Sequence, residues 1–290
     1  VNYRVRHVTT YVYATPVDLA SHMLHLTPRA LPFQTVRDAR IDILPRAGRT
    51  RVGADHFGNA IAWVFLELPH ERFVVTASAE ISVEFPPPPA ADATRPWEQV
   101  AALAAEGGPA SWRAGEFSFE SPMLPAESAA GAYVAQSFPP GRPVLQGLIE
   151  LNGRIRRDFA FKAGVTGVHT PVSRVIAQRA GVCQDFTHLM ITGLRMLGLP
   201  ARYVSGYLRT KPPPGVTPRR GADQSHAWVG AWLGPEHGWV DLDPTNDLVV
   251  HDEHVVLAWG RDYGDISPVR GLILGGGKHT VQVGVDLDAI

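Results

Sequence analysis

A chain of 290 residues, 45% of them hydrophobic and 19% charged, holds enough apolar material for one large domain or two ordinary ones. Its 27 basic and 28 acidic residues leave a formal net charge of -1, which argues against nucleic acid or an acidic membrane as the main partner. No apolar run approaches the ~18–20 residues that span a bilayer, and Val1-Asn-Tyr-Arg-Val-Arg6 lacks the apolar core of a signal peptide, so the expected location is cytoplasmic.

Residues 1 to about 85 read as β-rich. Tyr3–Tyr13 is crowded with β-branched and aromatic residues, and Pro16 is expected to close that strand. Further strand candidates are His22–Thr27, Val36–Leu44, Ala60–Leu68 and Phe73–Phe85, with turn clusters at Pro45–Gly48 and Asp55–Asn59. In the last candidate Val75, Ala77, Ala79, Ile81, Val83 and Phe85 alternate with polar residues, the period of a half-buried antiparallel strand. Five such strands predict a small β-sandwich-like or barrel-like domain over residues 1–89, ended by the stiff run Pro86–Pro89.

A second domain is expected over residues 90–290. Short helical pieces at Trp97–Ala105 and Ala126–Gln136 precede a better helix at Pro143–Arg157, whose Leu145, Leu148, Ile149, Asn152 and Ile155 fall roughly on one face. Thr170 as N-cap and Pro171 at the first helical position predict a short helix up to Arg179. Next comes Gly181-Val-Cys-Gln-Asp-Phe186, with Phe186, Leu189, Met190, Leu194 and Leu197 at helical spacing and a stop at Gly198 and Pro200. Strand-like segments follow at Ala201–Leu208, Gln224–Leu233, Trp239–Asp243 and His279–Leu287. Helices first and strands afterwards predict an α+β domain with a largely antiparallel sheet.

Cys183 is the only cysteine, so it cannot form an internal disulfide, and one soft ligand rarely holds a structural metal. It stands at the expected start of a buried helix, where free N–H groups and the macrodipole favour a thiolate; taken alone, it reads equally well as an inert core residue. A nucleophilic thiol needs a base, and the base an orienting group. Among 12 histidines His226 stands out by context, on a strand with Trp228, Gly230 and Trp232 at its even positions. If the turn Gly234–Gly238 makes Leu233 pair with Gly238, Trp228 faces Asp243 and Gly230 faces Asp241. His226 then shares a sheet face with both carboxylates and is nearer to Asp243, which is the expected orienter with Asp241 in reserve. Gln178, Gln184, Trp228 and Trp232 are candidates for a second oxyanion donor beside the Cys183 N–H. The loop Lys211–Arg220 is either a solvated connector or a lid over the cleft.

Gly181–Phe186, Leu199–Tyr207, His226-Ala-Trp-Val229 and Gly238–Asn246 together resemble the core of the transglutaminase-like superfamily, whose bacterial members are often described as candidate cysteine proteases. His7–Tyr13 and Asp55–Asn59 resemble the β-rich N-terminal region that accompanies this core in bacteria, and Gly260–Gly271 is similar to those proteins too. The resemblance implies a papain-like fold, with a cysteine helix packed on an antiparallel sheet. It carries the nucleophile onto Cys183, the base onto His226 and the acid onto Asp243. The reaction implied is acyl transfer from a peptide or protein amide through a thioester. Hydrolysis is the leading outcome, with protein-glutamine gamma-glutamyl transfer as the alternative and a non-catalytic binding protein as the rival of another class. Neither a metal nor another cofactor is expected: there is no acidic calcium loop, and His251-Asp-Glu-His254, which could be drawn as a metal pair, reads as a solvated charged turn.

Overall fold

The computed structural model describes residues 1–210 and 224–290. The N-terminal half is organised by β1 (Asn2–Leu24), with β2 (Gln34–Leu44), β3 (Arg49–Ala54), β4 (Ala60–Leu66) and β5 (His70–Val83) in the order β2-β5-β1-β4-β3. The expected alternation of β5 is realised: Phe73, Val75, Ala77, Ala79, Ile81 and Val83 are buried while the residues between them are not. Pro16 does not close the first strand. It lies inside β1, where pairing with β5 shifts register between Val12 and Val17, the kind of irregularity that accommodates a residue without an N–H. The segment expected as a separate strand at His22–Thr27 is largely the far end of this same β1, and β3 is a strand that the composition did not announce.

The helical layer comprises α1 (Trp97–Glu106), α2 (Trp112–Gly115), α3 (Ser128–Ala135), α4 (Val144–Asp158), α5 (Val172–Gln178) and α6 (Cys183–Met196). The N-cap of α5 is Pro171; the Thr170 hydroxyl instead accepts the Gly167 N–H at 2.9 Å. Every residue of α6 from Asp185 to Arg195 is buried. Such a helix needs protein on all sides. Leu189, Met190 and Leu194 share one core with Ala227, Val229 and Ala231 of the sheet and with Ala130 and Val134 of α3. Gly193 lets α3 close in: a Cβ there would lie 2.2 Å from the Val134 side chain and 2.8 Å from the Ala130 carbonyl.

Two short strands, β6 (Ala160–Phe161) and β7 (Ala180–Gly181), pair in parallel just ahead of α6. The second sheet is built from β8 (Ala201–Leu208), β9 (Gln224–Trp232), β10 (Trp239–Asp243), β11 (Leu248–Val249) and β12 (His254–Gly260), in the order β11-β10-β9-β8-β12. Its pairings are antiparallel, and α6 packs against it, the arrangement of cysteine helix on antiparallel sheet that the sequence led us to expect. β13 (Val269–Gly275) and β14 (His279–Ala289) then leave this sheet and pair antiparallel with β1, from Leu24↔Val269 to Tyr3↔Ala289. Segment 90–290 therefore contributes strands to both sheets. Glycines 275, 276 and 277, all at positive φ, turn the chain between them, and the Gly276 N–H reaches the Pro16 carbonyl at 3.0 Å.

The N-terminal sheet also covers the free edge of β12. Gln34, fully buried, exchanges two 2.7 Å hydrogen bonds with the Val256 backbone, donating to the carbonyl and accepting from the N–H. Asn59 does the same with Trp259, at 2.8 and 3.0 Å. Two side-chain amides thus replace part of a missing strand. The Trp259 ring is held between the guanidinium groups of Arg29 and Arg202, 3.6 and 3.8 Å from its centroid.

Candidate active site

Cys183 opens α6, and its position is set by the residues around it. Val182 is extended, and its N–H donates to Asp185 Oδ2 at 2.7 Å. The Thr166 hydroxyl donates to the same oxygen at 2.7 Å, tying the preceding loop to the helix start. Gly181 makes room for that carboxylate, since a Cβ there would lie 2.7 Å from Asp185 Oδ2. Burial pushes the Asp185 carboxyl up, and the bonds from Thr166 and Val182 only partly oppose it. Asp185 thus serves the Val182 N–H and leaves that of Cys183 at the helix mouth.

The register of β9 and β10 is the one anticipated from their turn. The Leu233 N–H donates to Gly238 O at 2.8 Å, with Trp232 opposite Trp239 and Gly230 opposite Asp241. His226 and Asp243 then meet diagonally on one face, His226 Nε2 lying 2.7 Å from Asp243 Oδ2. Asp241, the reserve orienter, serves elsewhere: it accepts from Trp228 Nε1 at 2.9 Å and stands 3.8 Å from Arg202.

Asp243 is fully buried and saturated with donors. Its Oδ1 accepts the Thr245 and Asn246 N–H groups at 3.0 and 3.3 Å, and its Oδ2 accepts Asn246 Nδ2 at 2.7 Å. Burial alone would raise its carboxyl, but hydrogen bonds from His226 and His254 and the His226 charge hold it far below the usual range. Burial pulls His226 down, and hydrogen bonds with Asp243 and Cys183, with the charges of both, raise it to about 10. With Nε2 committed to Asp243, Nδ1 is the nitrogen that can serve Cys183. The structure thus brings Cys183, His226 and Asp243 together.

One neighbour was missed. His254, assigned to a solvated turn, is completely buried at the start of β12, and its Nε2 lies 3.2 Å from Asp243 Oδ2. The apolar run Val255-Val-Leu-Ala-Trp259 that it heads was the available sign of a buried strand. The ligand atoms of His226, Asp243 and His254 lie within 4.8 Å of one another. Their separations from the shared oxygen, 2.7 and 3.2 Å, are those of hydrogen bonds. Of the proposed oxyanion donors, Gln178 Nε2 is bonded to the Ala180 carbonyl at 2.7 Å, Gln184 Nε2 to that of Val168 at 2.8 Å, and Trp228 to Asp241. Trp232 is a core residue at the opposite end of β9 from His226.

Cys183 and His226 both line a cavity of about 370 Å³. Its other walls come from Tyr203 of β8, Thr9 and Tyr11 of β1, and Val281 and Val283 of β14, so the N-terminal sheet flanks the thiol directly. The loop Lys211–Arg220 falls outside the described residues. Among the described residues no helix is long and apolar enough to cross a membrane.

Residues 3–82 match the family model for the bacterial transglutaminase-like N-terminal region, and residues 134–244 match that for the transglutaminase-like superfamily. An uncharacterised Mycobacterium tuberculosis protein is 37% identical over 292 residues, covering 98% of this chain and 92% of that one. A Pseudomonas aeruginosa protein-glutamine gamma-glutamyltransferase is 34% identical over 120 residues, 39% of this chain and 18% of its own length. The crystal structure of a candidate cysteine protease from Cytophaga hutchinsonii superposes with a TM-score of 0.75 at 19% identity, covering 99% of this chain and 90% of that one.

Proposed function

The chain belongs to the transglutaminase-like superfamily, and from that premise we propose that it transfers an acyl group from a peptide or protein amide through a thioester on Cys183. The supporting observation is the shared cavity, in which Cys183 and His226 meet while Asp243 is bonded behind His226 at 2.7 Å. The Cys183 thiolate attacks the carbonyl carbon, and the oxyanion is received by the Cys183 N–H at the helix start. The C–N bond breaks as His226 gives its proton to the leaving amine. Water then attacks the thioester, His226 takes its proton, and the C–S bond breaks to restore the thiolate and the imidazolium. Asp243 stays ionised throughout and holds the ring.

Hydrolysis and transfer to a second amine share this acyl-enzyme. Hydrolysis is the first outcome proposed, and gamma-glutamyl transfer, the activity named for the Pseudomonas relative, the second. Iodoacetamide should label Cys183 at neutral pH much faster than free cysteine, and Cys183→Ala should abolish both labelling and amidase activity. Labelling no faster than free cysteine would refute an activated thiol and favour a binding protein. A glutamine peptide with a labelled amine separates the two outcomes: incorporation marks a transferase, release of ammonia or a shortened peptide a hydrolase.

A further inference from the structure

His254 has no part in the chemistry just described, yet it is bonded to the centre of it. Asp243 Oδ2 is shared by His226 Nε2 at 2.7 Å and His254 Nε2 at 3.2 Å. The two histidines differ in charge. Burial lowers the pKa of His254, and the hydrogen bond and charge of Asp243 do not overcome it, while the charges of His226 and His251 push the same way as burial. His254 is therefore neutral and carries one proton. The oxygen it faces belongs to an ionised carboxylate that can only accept, so the proton must sit on Nε2. Nδ1 is left as a buried lone pair with no hydrogen-bond partner.

Its surroundings fix this arrangement. The Trp228 and His251 rings stand edge-on to it, at 5.2 and 5.8 Å between centroids. The titratable groups that face it are Asp243 and Asp241 from β10, His226 from β9 and His251 from the turn before β12. β8 places Leu208 opposite it. His254 has no exposed surface, so water could not take over its hydrogen bond without rearrangement.

We propose that His254 is a positioning residue for the acyl transfer: as a neutral Nε2–H donor it fixes the Asp243 carboxylate and takes up part of its charge, limiting how tightly Asp243 grips the His226 imidazolium. The proposal rests on the acyl-transfer reading. The physical need is plain. An imidazolium held too tightly is a poor acid for a leaving amine, and each further donor on the carboxylate weakens the hold on the first. Unlike Thr245 and Asn246, which lie just after Asp243 in the same turn, His254 comes from a strand on the far side of β8.

The test compares His254→Gln, which keeps an N–H donor at similar reach, with His254→Leu, which keeps bulk and loses the donor. Two rates are read: iodoacetamide alkylation of Cys183 against pH, and acylation by a glutamine peptide, followed as the ammonia released, whose departure needs a proton from His226. His254→Leu should move the upper inflection of the alkylation profile, where His226 loses its proton, to higher pH, and should slow acylation at pH 7 about tenfold. His254→Gln should stay within about twofold of the parent on both. Placing His254→Leu on an Asp243→Asn background should erase its effect, because the residue acts through that carboxylate. An unmoved inflection, an equal loss in His254→Gln, or a full effect without the carboxylate would each overturn the proposal. If the leucine variant does not fold, nitrogen-15 histidine spectra of the parent decide instead: His254 should be neutral with its proton on Nε2, and an imidazolium or an Nδ1–H tautomer would sink the idea. Failure of the acyl-transfer reading has a separate signature, a parent thiol no more reactive than free cysteine.

Discussion

Asp243 serves two histidines with one oxygen, and with Cys183 it sets how His226 responds to pH. The His226 pKa is raised, so the stability it lends is fully present below the ordinary imidazole value and is lost as pH rises through about 10. Urea midpoints measured from pH 7 to 11 should fall at the alkaline end, and Asp243→Asn should flatten the part of that fall due to His226. The same substitution removes the group that orients the base and should reduce acyl transfer by about 10³–10⁴-fold, measured as acylation at pH 7. The contact of His226 with Asp243 was readable in the sequence because a short turn and strand alternation fix both the register and the face. His254 was not readable. Two strands, β9 and β8, lie between its own strand and that of Asp243, and alternation along a strand says nothing about sheet order.

Among the elements, β8 makes that long contact possible by carrying a glycine at the crossing point. Gly206 pairs with His226, and a Cβ there would lie 2.3 Å from the Trp228 ring and 2.1 Å from the Val255 carbonyl. Trp228 lies over this gap, between His226 and His254, with ring centroids 6.1 and 5.2 Å away. Gly206→Ala should therefore cost about 1–3 kcal/mol through overpacking, lower the melting temperature, and slow Cys183 alkylation, because the displaced ring supports both histidines. Unchanged melting and alkylation would show that the ring has room to move. Strand and helix types were largely legible from periodicity, and α6 most of all. Pro16 misled because a proline ends a strand only when its neighbours need its N–H, and within β1 the flanking pairing shifts register there. β3 went unseen because all six of its residues are exposed, so it carries no buried alternation to read.

Taken as a whole, the molecule is fastened by buried neutral groups that acid would charge. His7 joins the two sheets, one ring nitrogen 3.0 Å from the Tyr207 hydroxyl and the other 3.0 Å from Thr9 Oγ1. Burial lowers His7 to about 4. His22, which is stacked on Phe73, and His188 are lowered to the same value, chiefly by burial. A depressed histidine lends stability above the ordinary imidazole value and loses it as pH falls through about 4. Each of the three contributes at most about 3 kcal/mol. The melting temperature should drop steeply between pH 6.5 and 4, and His7→Gln, which preserves the polar contacts without the titration, should make the drop shallower. The alternation of 279–287 foretold the last strand but not its partner at the opposite end of the chain, since a pairing between Tyr3 and Ala289 leaves no local trace. That pairing has a consequence for biosynthesis. β1 leaves the ribosome well before β13 and β14, and one of its flanks stays open until they follow, on the order of ten seconds to a minute later at usual elongation rates. The nascent chain exposes an unpaired strand edge for that whole interval, so a stalled or truncated product is the form most prone to aggregate.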